Sequence, residues 1–261
     1  MSDTVLLTRE GALARITLNR PASLNAVDAE MAARWREVAS EVAADDTVGA
    51  VVLDAAGRAF CAGGDVVSMA TTGLGGVEVT RMARVINEGI VALTSSSVPV
   101  VAAVQGAVAG GGLGLMLAAD YIVAAPAAAF VSRYAAIGLT PDLGVSTLLT
   151  AAVGQRRALR LLLHDTTLDA ETALDWGLVT EVAENPGERA AELAASWLTG
   201  ATAAFGQAKR LVRAGSGRPF TASLDDEART IGARFDTDEA RARIDAFAAA
   251  SARRSRPQEM S

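Results

Sequence analysis

The chain has 261 residues, of which 51% are hydrophobic and 21% charged, enough apolar material for one sizeable core with an appendage. Its formal net charge of −6 argues against non-specific nucleic-acid binding, which depends on lysine and arginine facing phosphates. The single cysteine, Cys61, excludes an intramolecular disulfide and any metal site built on cysteines.

The N-terminus and the apolar segments predict where the protein works. Residues 1–4 lack the basic segment followed by an apolar segment that marks a secretory signal. The apolar stretches at 98–104 and 113–119 end well before the roughly 18 residues of a membrane span. We therefore expect a cytoplasmic protein with neither a membrane nor nucleic acid as a partner.

The first elements in chain order are a β-hairpin, a helix and a buried strand. Residues 5–7 and 13–18 alternate apolar and polar side chains on either side of a turn-prone Glu-Gly pair. Asp28 can cap the next helix, because apolar side chains recur after it at helical spacing up to the acidic pair at 45–46. Residues 48–53 form a largely apolar run that is typical of a buried strand.

Strand and helix patterns then alternate along the middle of the chain. Further strands are predicted at 98–104, 122–124 and 178–182, with helices from the glycines at 110–112 through Met116 and over 170–176. Strand-helix-strand repetition produces a parallel sheet covered by helices. The predicted fold class is therefore α/β.

The chain changes character near residue 186. After that point only helical patterns remain, at residues 188–198, 203–213, 224–235 and 238–250. We therefore predict a core domain at residues 1–186, which holds the active site, and a helical C-terminal subdomain at residues 187–261.

Two glycine-bearing loops after predicted strands carry the main functional signal. In the loop at 57–65, small side chains let a ligand approach backbone N–H groups, although a plain connecting loop has a similar composition. The loop at 105–114 runs into a helix, whose free N–H groups and dipole favour negative charge; tight helix packing is the alternative. It lacks the Lys-Ser/Thr of a P-loop and does not fit the GxGxxG fingerprint, which excludes nucleoside-triphosphate and dinucleotide sites of those types.

Together with residues 18–26, these loops resemble the crotonase (enoyl-CoA hydratase/isomerase) family in order and separation, and further matching segments extend the resemblance over nearly the whole chain. The resemblance implies a crotonase-like spiral of βαβ units with a helical C-terminal trimerisation region. It also implies a homotrimer or hexamer that binds an acyl-CoA. Coenzyme A is then part of the substrate, and no separate cofactor or metal is expected.

The resemblance also assigns residues to the site. Ala62 and Gly111 match the two positions whose N–H groups form the family's oxyanion hole, where an enolate oxygen would be stabilised. The positions that match the family's coenzyme A site are Arg20, Ser23, Leu24, Ala26, Ala62, Gly63, Gly64, Asp65 and Val66.

Both glutamates of the family's hydratases are missing. Their positions hold Gly114 and Tyr134, although hydration needs one group to activate water and another to protonate carbon. With a pKa near ~10, Tyr134 is a poor base, so we expect it to line the acyl pocket. The substitutions favour isomerisation over hydration.

Asp142 is the predicted catalytic residue. Between residues 105 and 155 the only carboxylates are Asp120 and Asp142, and Asp120 matches a position that is structural in the family. The segment 137–144 resembles that of isomerases acting on dienoyl- and phenylacetyl-type CoA esters, in which an aspartate shuttles the proton.

A structural role for Asp142 is the alternative. Thr140 and Pro141 can begin a helix, and Asp142 would then only complement the helix dipole. Apolar neighbours would raise its pKa and a helix N-terminus would lower it, and the sequence leaves that balance open. His164, the only histidine, has no Ser or Cys partner in a recognisable motif and is expected to be structural.

The leading functional prediction is isomerisation, by double-bond or ring rearrangement, of an unsaturated acyl-CoA through an enolate. Enoyl-CoA hydratase, lyase-type or hydrolase activity through Asp142 is the second hypothesis. A non-catalytic acyl-CoA-binding homologue is the third. The acyl group itself is left open, because its pocket wall is expected from a variable helix at 77–93 and from C-terminal residues.

Overall fold

The computed structural model describes residues 3–164, 166–215 and 217–254. The strands are β1 (Val5–Glu10), β2 (Leu13–Leu18), β3 (Ala50–Ala55), β4 (Val100–Val104), β5 (Ala107–Ala109), β6 (Tyr121–Ala124), β7 (Ala129–Val131), β8 (Leu168–Asp169) and β9 (Glu181–Val182). The helices are α1 (Ala29–Ala44), α2 (Val66–Thr72), α3 (Gly76–Ser95), α4 (Gly111–Leu117), α5 (Val145–Val153), α6 (Gln155–Leu163), α7 (Ala170–Trp176), α8 (Pro186–Thr199), α9 (Thr202–Gly215), α10 (Phe220–Phe235) and α11 (Asp238–Arg254).

Two sheets organise the core. The larger has the order β1-β2-β3-β4-β6-β9, with β1 antiparallel to β2 and the later neighbours parallel. In the smaller sheet, β5 and β7 are parallel and β8 is antiparallel to β7. The predicted hairpin and the α/β class are confirmed. The parallel pairing of β5 with β7 brings the loops that follow both strands to one edge of the sheet.

Helix α3, which forms one wall of the main cavity, is fixed by packing against α1. Asp28 caps α1, since its side chain accepts a hydrogen bond from Met31 N at 2.8 Å. Trp35 is buried on α1, and its indole N–H donates to Ile86 O at 3.1 Å. A Cβ atom at Gly89 would lie 2.5 Å from Trp35 Nε1, so the close contact of the two helices requires glycine there.

The only lysine ties α9 to the core. Lys209 is buried, and its ammonium lies 2.9 Å from Asp120 Oδ2 and donates to Leu93 O at 2.8 Å. Asp120 also accepts a hydrogen bond from Val100 N at 2.9 Å and forms an ion pair with Arg213 at 2.9 Å. Asp120 is therefore fully engaged in holding the fold, as the sequence predicted.

The C-terminal helices differ in how much apolar surface they cover. Helix α8 packs on the main sheet, with Ala190 and Ala194 in one buried cluster with Val52 and Val101. Helices α10 and α11 instead leave large side chains such as Phe220, Ile231 and Phe247 mostly exposed. Across the described ranges, every helix is too short or too polar to cross a bilayer.

Candidate active site

The candidate site lies in a cavity of about 590 Å³, within the size range of ligand sites. Its lining includes Met69, Ala70, Val79, Met82, Ala83 and Ile86 from α2 and α3. Other lining residues are Ala62, Gly63, Gly64, Gly110, Gly111, Tyr134, Asp142 and Leu143. The cavity therefore combines an apolar wall with the loops that carried the sequence signal.

The loop at 57–65 is held against β5 and against the segment 18–26. Cys61 exchanges backbone hydrogen bonds with Ala107 and Ala109, at 3.2 and 2.9 Å. Asn25 is buried, and its side-chain amide donates to Ala56 O at 2.9 Å and to Ala59 O at 2.8 Å. Sequence analysis did not single out Asn25, because its role depends on contacts more than 30 residues away.

The structure corrects one predicted oxyanion donor. The backbone N–H of Ala62 donates to Leu24 O at 3.0 Å and so is not free for a ligand. Gly64 forms a parallel bridge with Val27, in which the flanking residues make the hydrogen bonds and the N–H of Gly64 points away from Val27. Within the described part of the chain, neither this N–H nor that of Gly111 has an acceptor, and both residues line the cavity.

Asp142 faces the same cavity from a loop before α5. Its Oδ1 lies 3.6 Å from the position that a Cβ atom of Gly111 would occupy. Helix α5 begins at Val145 with Gly144 as its N-cap, so the alternative in which Pro141 starts the helix is wrong. Asp142 thus stands outside the helix rather than in its first turn.

Tyr134 and Asp142 form a hydrogen-bonded pair. The Tyr134 hydroxyl donates to Asp142 Oδ1 at 2.6 Å. Asp142 is open to the cavity, yet partial burial of its carboxyl group raises its pKa, and hydrogen bonds from Tyr134 and its own backbone only partly oppose the rise. Burial, followed by the charge of Asp142, raises the pKa of Tyr134, so the phenol stays protonated and acts as a donor.

Gly114, at the first missing glutamate position, lies directly under the loop that carries Asp142. A Cβ atom on Gly114 would collide with Leu143 O and would lie 2.7 Å from Leu143 Cβ. A Cβ atom on Gly111 would lie 2.8 Å from Leu143 Cδ1. Two glycines of α4 therefore make room for Leu143, and Leu143 adjoins Asp142.

A second cavity of about 740 Å³ borders the first. The predicted coenzyme A residues that line it are Ser23, Leu24, Ala26, Ala62, Gly64, Asp65 and Val66, whereas Gly63 lines only the first cavity. Ala62, Gly64 and Val66 line both cavities, so a ligand that fills both would pass over the loop at 57–65. The coenzyme A assignment remains a prediction.

Two arginines near this cavity differ in their partners. Arg20 lies 2.9 Å from Asp28 and 3.1 Å from Asp65, so its charge is met inside the protein and it does not line the cavity. Arg58 lines the cavity with an exposed side chain that has no ion pair in the described residues. Sequence analysis did not identify Arg58, since a lone arginine in a loop is usually only solvated.

The remaining candidates take no part in the site. Burial raises the pKa of the Cys61 thiol to about 12, and its Sγ lies 3.1 Å from Asn25 O, which makes it a poor nucleophile. His164 is exposed at the end of α6. The described residues contain no cluster of three or more His, Cys, Asp or Glu side chains that could hold a metal ion.

Comparison with known proteins finds relatives that are named as enoyl-CoA hydratases or as a CoA-ester isomerase. The family model described as enoyl-CoA hydratase/isomerase matches residues 8–253. A Mycobacterium tuberculosis protein named "Probable enoyl-CoA hydratase" is 42% identical over 193 residues, which cover 74% of this chain and 75% of that protein. The 1,2-epoxyphenylacetyl-CoA isomerase of Escherichia coli is 33% identical over 231 residues, or 87% and 88% of the two chains. The crystal structure of an enoyl-CoA hydratase from Polaromonas superimposes with a TM-score of 0.86 at 29% identity, covering 94% and 96%.

Proposed function

The chain belongs to the enoyl-CoA hydratase/isomerase family, and from that premise we propose that it isomerises an unsaturated acyl-CoA by a proton shuttle through Asp142. The family makes it an acyl-CoA enzyme of the hydratase or isomerase type. One observation carries the finer proposal. Among the described residues that line the first cavity, to which we assign the acyl group and which we call the acyl cavity, Asp142 is the only carboxylate, and burial raises its pKa, which makes the carboxylate a stronger base.

The proton shuttle needs a single carboxyl group. On a 3-enoyl-CoA, the Asp142 carboxylate accepts the proton from C2, and the electron pair of the broken C–H bond enters a dienolate whose charge lies largely on the thioester oxygen. The proton then leaves the carboxyl group for C4, which gives the conjugated 2-enoyl-CoA. The reaction moves one proton from C2 to C4 and needs no water, redox partner or second acid.

Stabilisation of the enolate oxygen is assigned to the free N–H groups of Gly64 and Gly111. Preorganised donors aimed at developing charge lower such barriers by about 3–4 kcal/mol each. Gly111 also adjoins Asp142, since a Cβ atom built on Gly111 would lie 3.6 Å from Asp142 Oδ1. A thioester held there would have its α carbon near the carboxyl group.

The apolar wall from α2 and α3 supports an acyl group that is hydrocarbon in character. Met69, Val79, Met82 and Ile86 offer it no hydrogen-bond partner other than weakly accepting sulfur. Coenzyme A would lie in the neighbouring cavity, where Arg58 supplies a cation for a phosphate group. Coenzyme A is thus part of the substrate in this proposal.

A hydratase is the second candidate, because the Mycobacterium tuberculosis relative is named as one. The geometry favours it less. Water must be positioned and deprotonated, yet Gly114 has no side chain and its surroundings are filled by Leu143. The Tyr134 phenol, with its raised pKa, cannot act as a base near neutral pH.

The test compares 3-enoyl-, crotonyl- and phenylacetyl-derived CoA esters as substrates and follows both double-bond migration and hydration by product analysis. We expect migration that depends on Asp142 and very slow hydration of crotonyl-CoA. Rapid hydration with no migration would reject the isomerase proposal and favour the second candidate. Tight binding of every ester without turnover would favour a non-catalytic acyl-CoA-binding protein.

A further inference from the structure

We propose that Tyr134 is a positioning residue for the proton shuttle, in which its hydroxyl occupies Oδ1 of Asp142 and leaves Oδ2 as the oxygen that carries the proton. The inference rests on the proposed function, because Tyr134 can position a base only if Asp142 is the base of the isomerisation. Tyr134, which stands where a family hydratase has its second glutamate, would then orient the base instead of acting as one.

The contact is short, and hydrogen bonds hold the backbone of both residues. The hydroxyl of Tyr134 donates to Asp142 Oδ1 at 2.6 Å, and the tyrosine is only 7% exposed. Its backbone carbonyl accepts hydrogen bonds from Ile137 N at 3.2 Å and Leu139 N at 2.9 Å. The carbonyl of Asp142 accepts one from Val145 N at 2.9 Å. The phenol therefore fixes one carboxyl orientation relative to the cavity.

The loop that carries Asp142 is also held by Leu143, the next residue. Leu143 is 4% exposed and adopts a left-handed backbone conformation with φ 49°. A leucine rarely adopts this conformation, and it is retained here because the side chain packs into the space left by Gly111 and Gly114. Asp142 is thus held through its backbone by the packing of Leu143 and through its side chain by Tyr134.

Few charges compete with this hydrogen bond. The other titratable side chains that line the cavity in the described chain are Arg133 and Tyr134 itself, and the buried thiol of Cys61 adjoins the phenol. Helix α4, which packs against the loop, contributes only glycine, leucine and methionine, and α5 contributes no ionisable group. Removal of the Tyr134 hydroxyl should therefore change the pKa of Asp142 directly.

The hydroxyl stabilises the carboxylate form of Asp142, so its loss should raise the pKa of Asp142 further. The base form would then appear only at higher pH. A packing role of the aromatic ring alone predicts no such change, because phenylalanine keeps the ring.

The experiment compares wild type, Tyr134→Phe and, as a matched control, Tyr121→Phe, whose hydroxyl donates to Glu181 at 3.0 Å outside the cavity. For Tyr134→Phe we expect kcat for double-bond migration to fall roughly tenfold, KM to change less than about twofold, and the acid limb of the kcat/KM profile to rise by about one pH unit. Tyr121→Phe should match wild type.

A second measurement does not depend on turnover. The carboxyl resonance of Asp142, assigned by its loss in Asp142→Asn, is titrated by ¹³C NMR in the three proteins. A higher pKa in Tyr134→Phe alone supports the proposal even if no isomerase substrate is found. Identical titrations in wild type and Tyr134→Phe would overturn it, whether or not kcat falls, and would leave the isomerase proposal standing.

Discussion

Leu143 lies so close to Gly114 that a Cβ atom on the glycine would be 2.7 Å from the Cβ atom of the leucine. The position at which family hydratases hold a glutamate is therefore physically filled by the loop next to Asp142. In this chain, Gly114 and the loop that carries Asp142 therefore belong to one packed arrangement. A glutamate cannot be restored without moving the loop.

The variant Gly114→Glu tests this relationship. We expect it to abolish isomerisation without producing hydratase activity, and to lower the free energy of unfolding by at least the roughly 1–3 kcal/mol typical of overpacked cores. Denaturant titration and product analysis measure the two effects. Gly76→Glu is the matched control, because a side chain at this first residue of α3 meets nothing within 4 Å. A stable Gly114→Glu enzyme that hydrates crotonyl-CoA would contradict the interpretation.

Asp142→Asn tests the base. Turnover should fall by roughly 10² to 10⁴, as is typical of general acid–base catalysis, while affinity for the CoA ester stays nearly unchanged. Because the pKa of Asp142 is raised, the acid limb of the wild-type kcat/KM profile should lie above the usual range of an aspartate, with activity lost as pH falls through it. Asp46→Asn, at an exposed position outside both cavities, is the control. Isomerase turnover that survives in Asp142→Asn would show that another group moves the proton.

Elements with strong local signals could be predicted from the sequence. The hairpin turns at Gly11, where φ is 57°, and α1 begins after its Asp28 cap, so each depends on residues close in the chain. Strands β5, β7 and β8 were missed, since two or three residues are too few to show a period.

The site could be predicted only in part, because long-range contacts decide it. Asp142 was found by counting carboxylates, and the structure places it on the cavity. Residue matching could not reveal that the N–H of Ala62 is engaged by Leu24, a contact across 38 positions, or that Tyr134 bonds to Asp142 rather than only lining the pocket. Each depends on how two loops meet in the folded chain.

Arg58 and Arg20 should respond differently to substitution. We expect Arg58→Ala to weaken coenzyme A binding about two- to fivefold, with a smaller difference at high salt, because an exposed cation meets a phosphate weakly. Arg20→Ala should instead lower stability, since it leaves Asp28 and Asp65 without their shared cation. Calorimetric titration with free coenzyme A and thermal unfolding separate the two effects. Equal binding by wild type and Arg58→Ala would remove Arg58 from the site.

Cys61 should be inert in the folded protein. With its pKa raised to about 12 by burial, almost none of the thiol is ionised at pH 8, and the thiolate is the reactive form. An aromatic disulfide reagent should therefore leave the native protein unmodified over hours and react with one equivalent after denaturation. Rapid modification of the native protein would show that the loop at 57–65 opens.

The last prediction concerns assembly. Phe220, Ile231 and Phe247 are 76%, 72% and 76% exposed in the single chain. Burial of such side chains stabilises an interface by about 25 cal/mol per Å² of apolar surface, so we expect a trimer or hexamer through α10 and α11. Ile231→Asp and Phe247→Asp should shift the assembly toward monomers in light scattering. Leu163→Asp, 76% exposed at the last residue of α6 and outside the C-terminal subdomain, is the matched control for charge on an exposed apolar position and should leave the assembly intact. A wild-type monomer at every concentration would contradict the prediction.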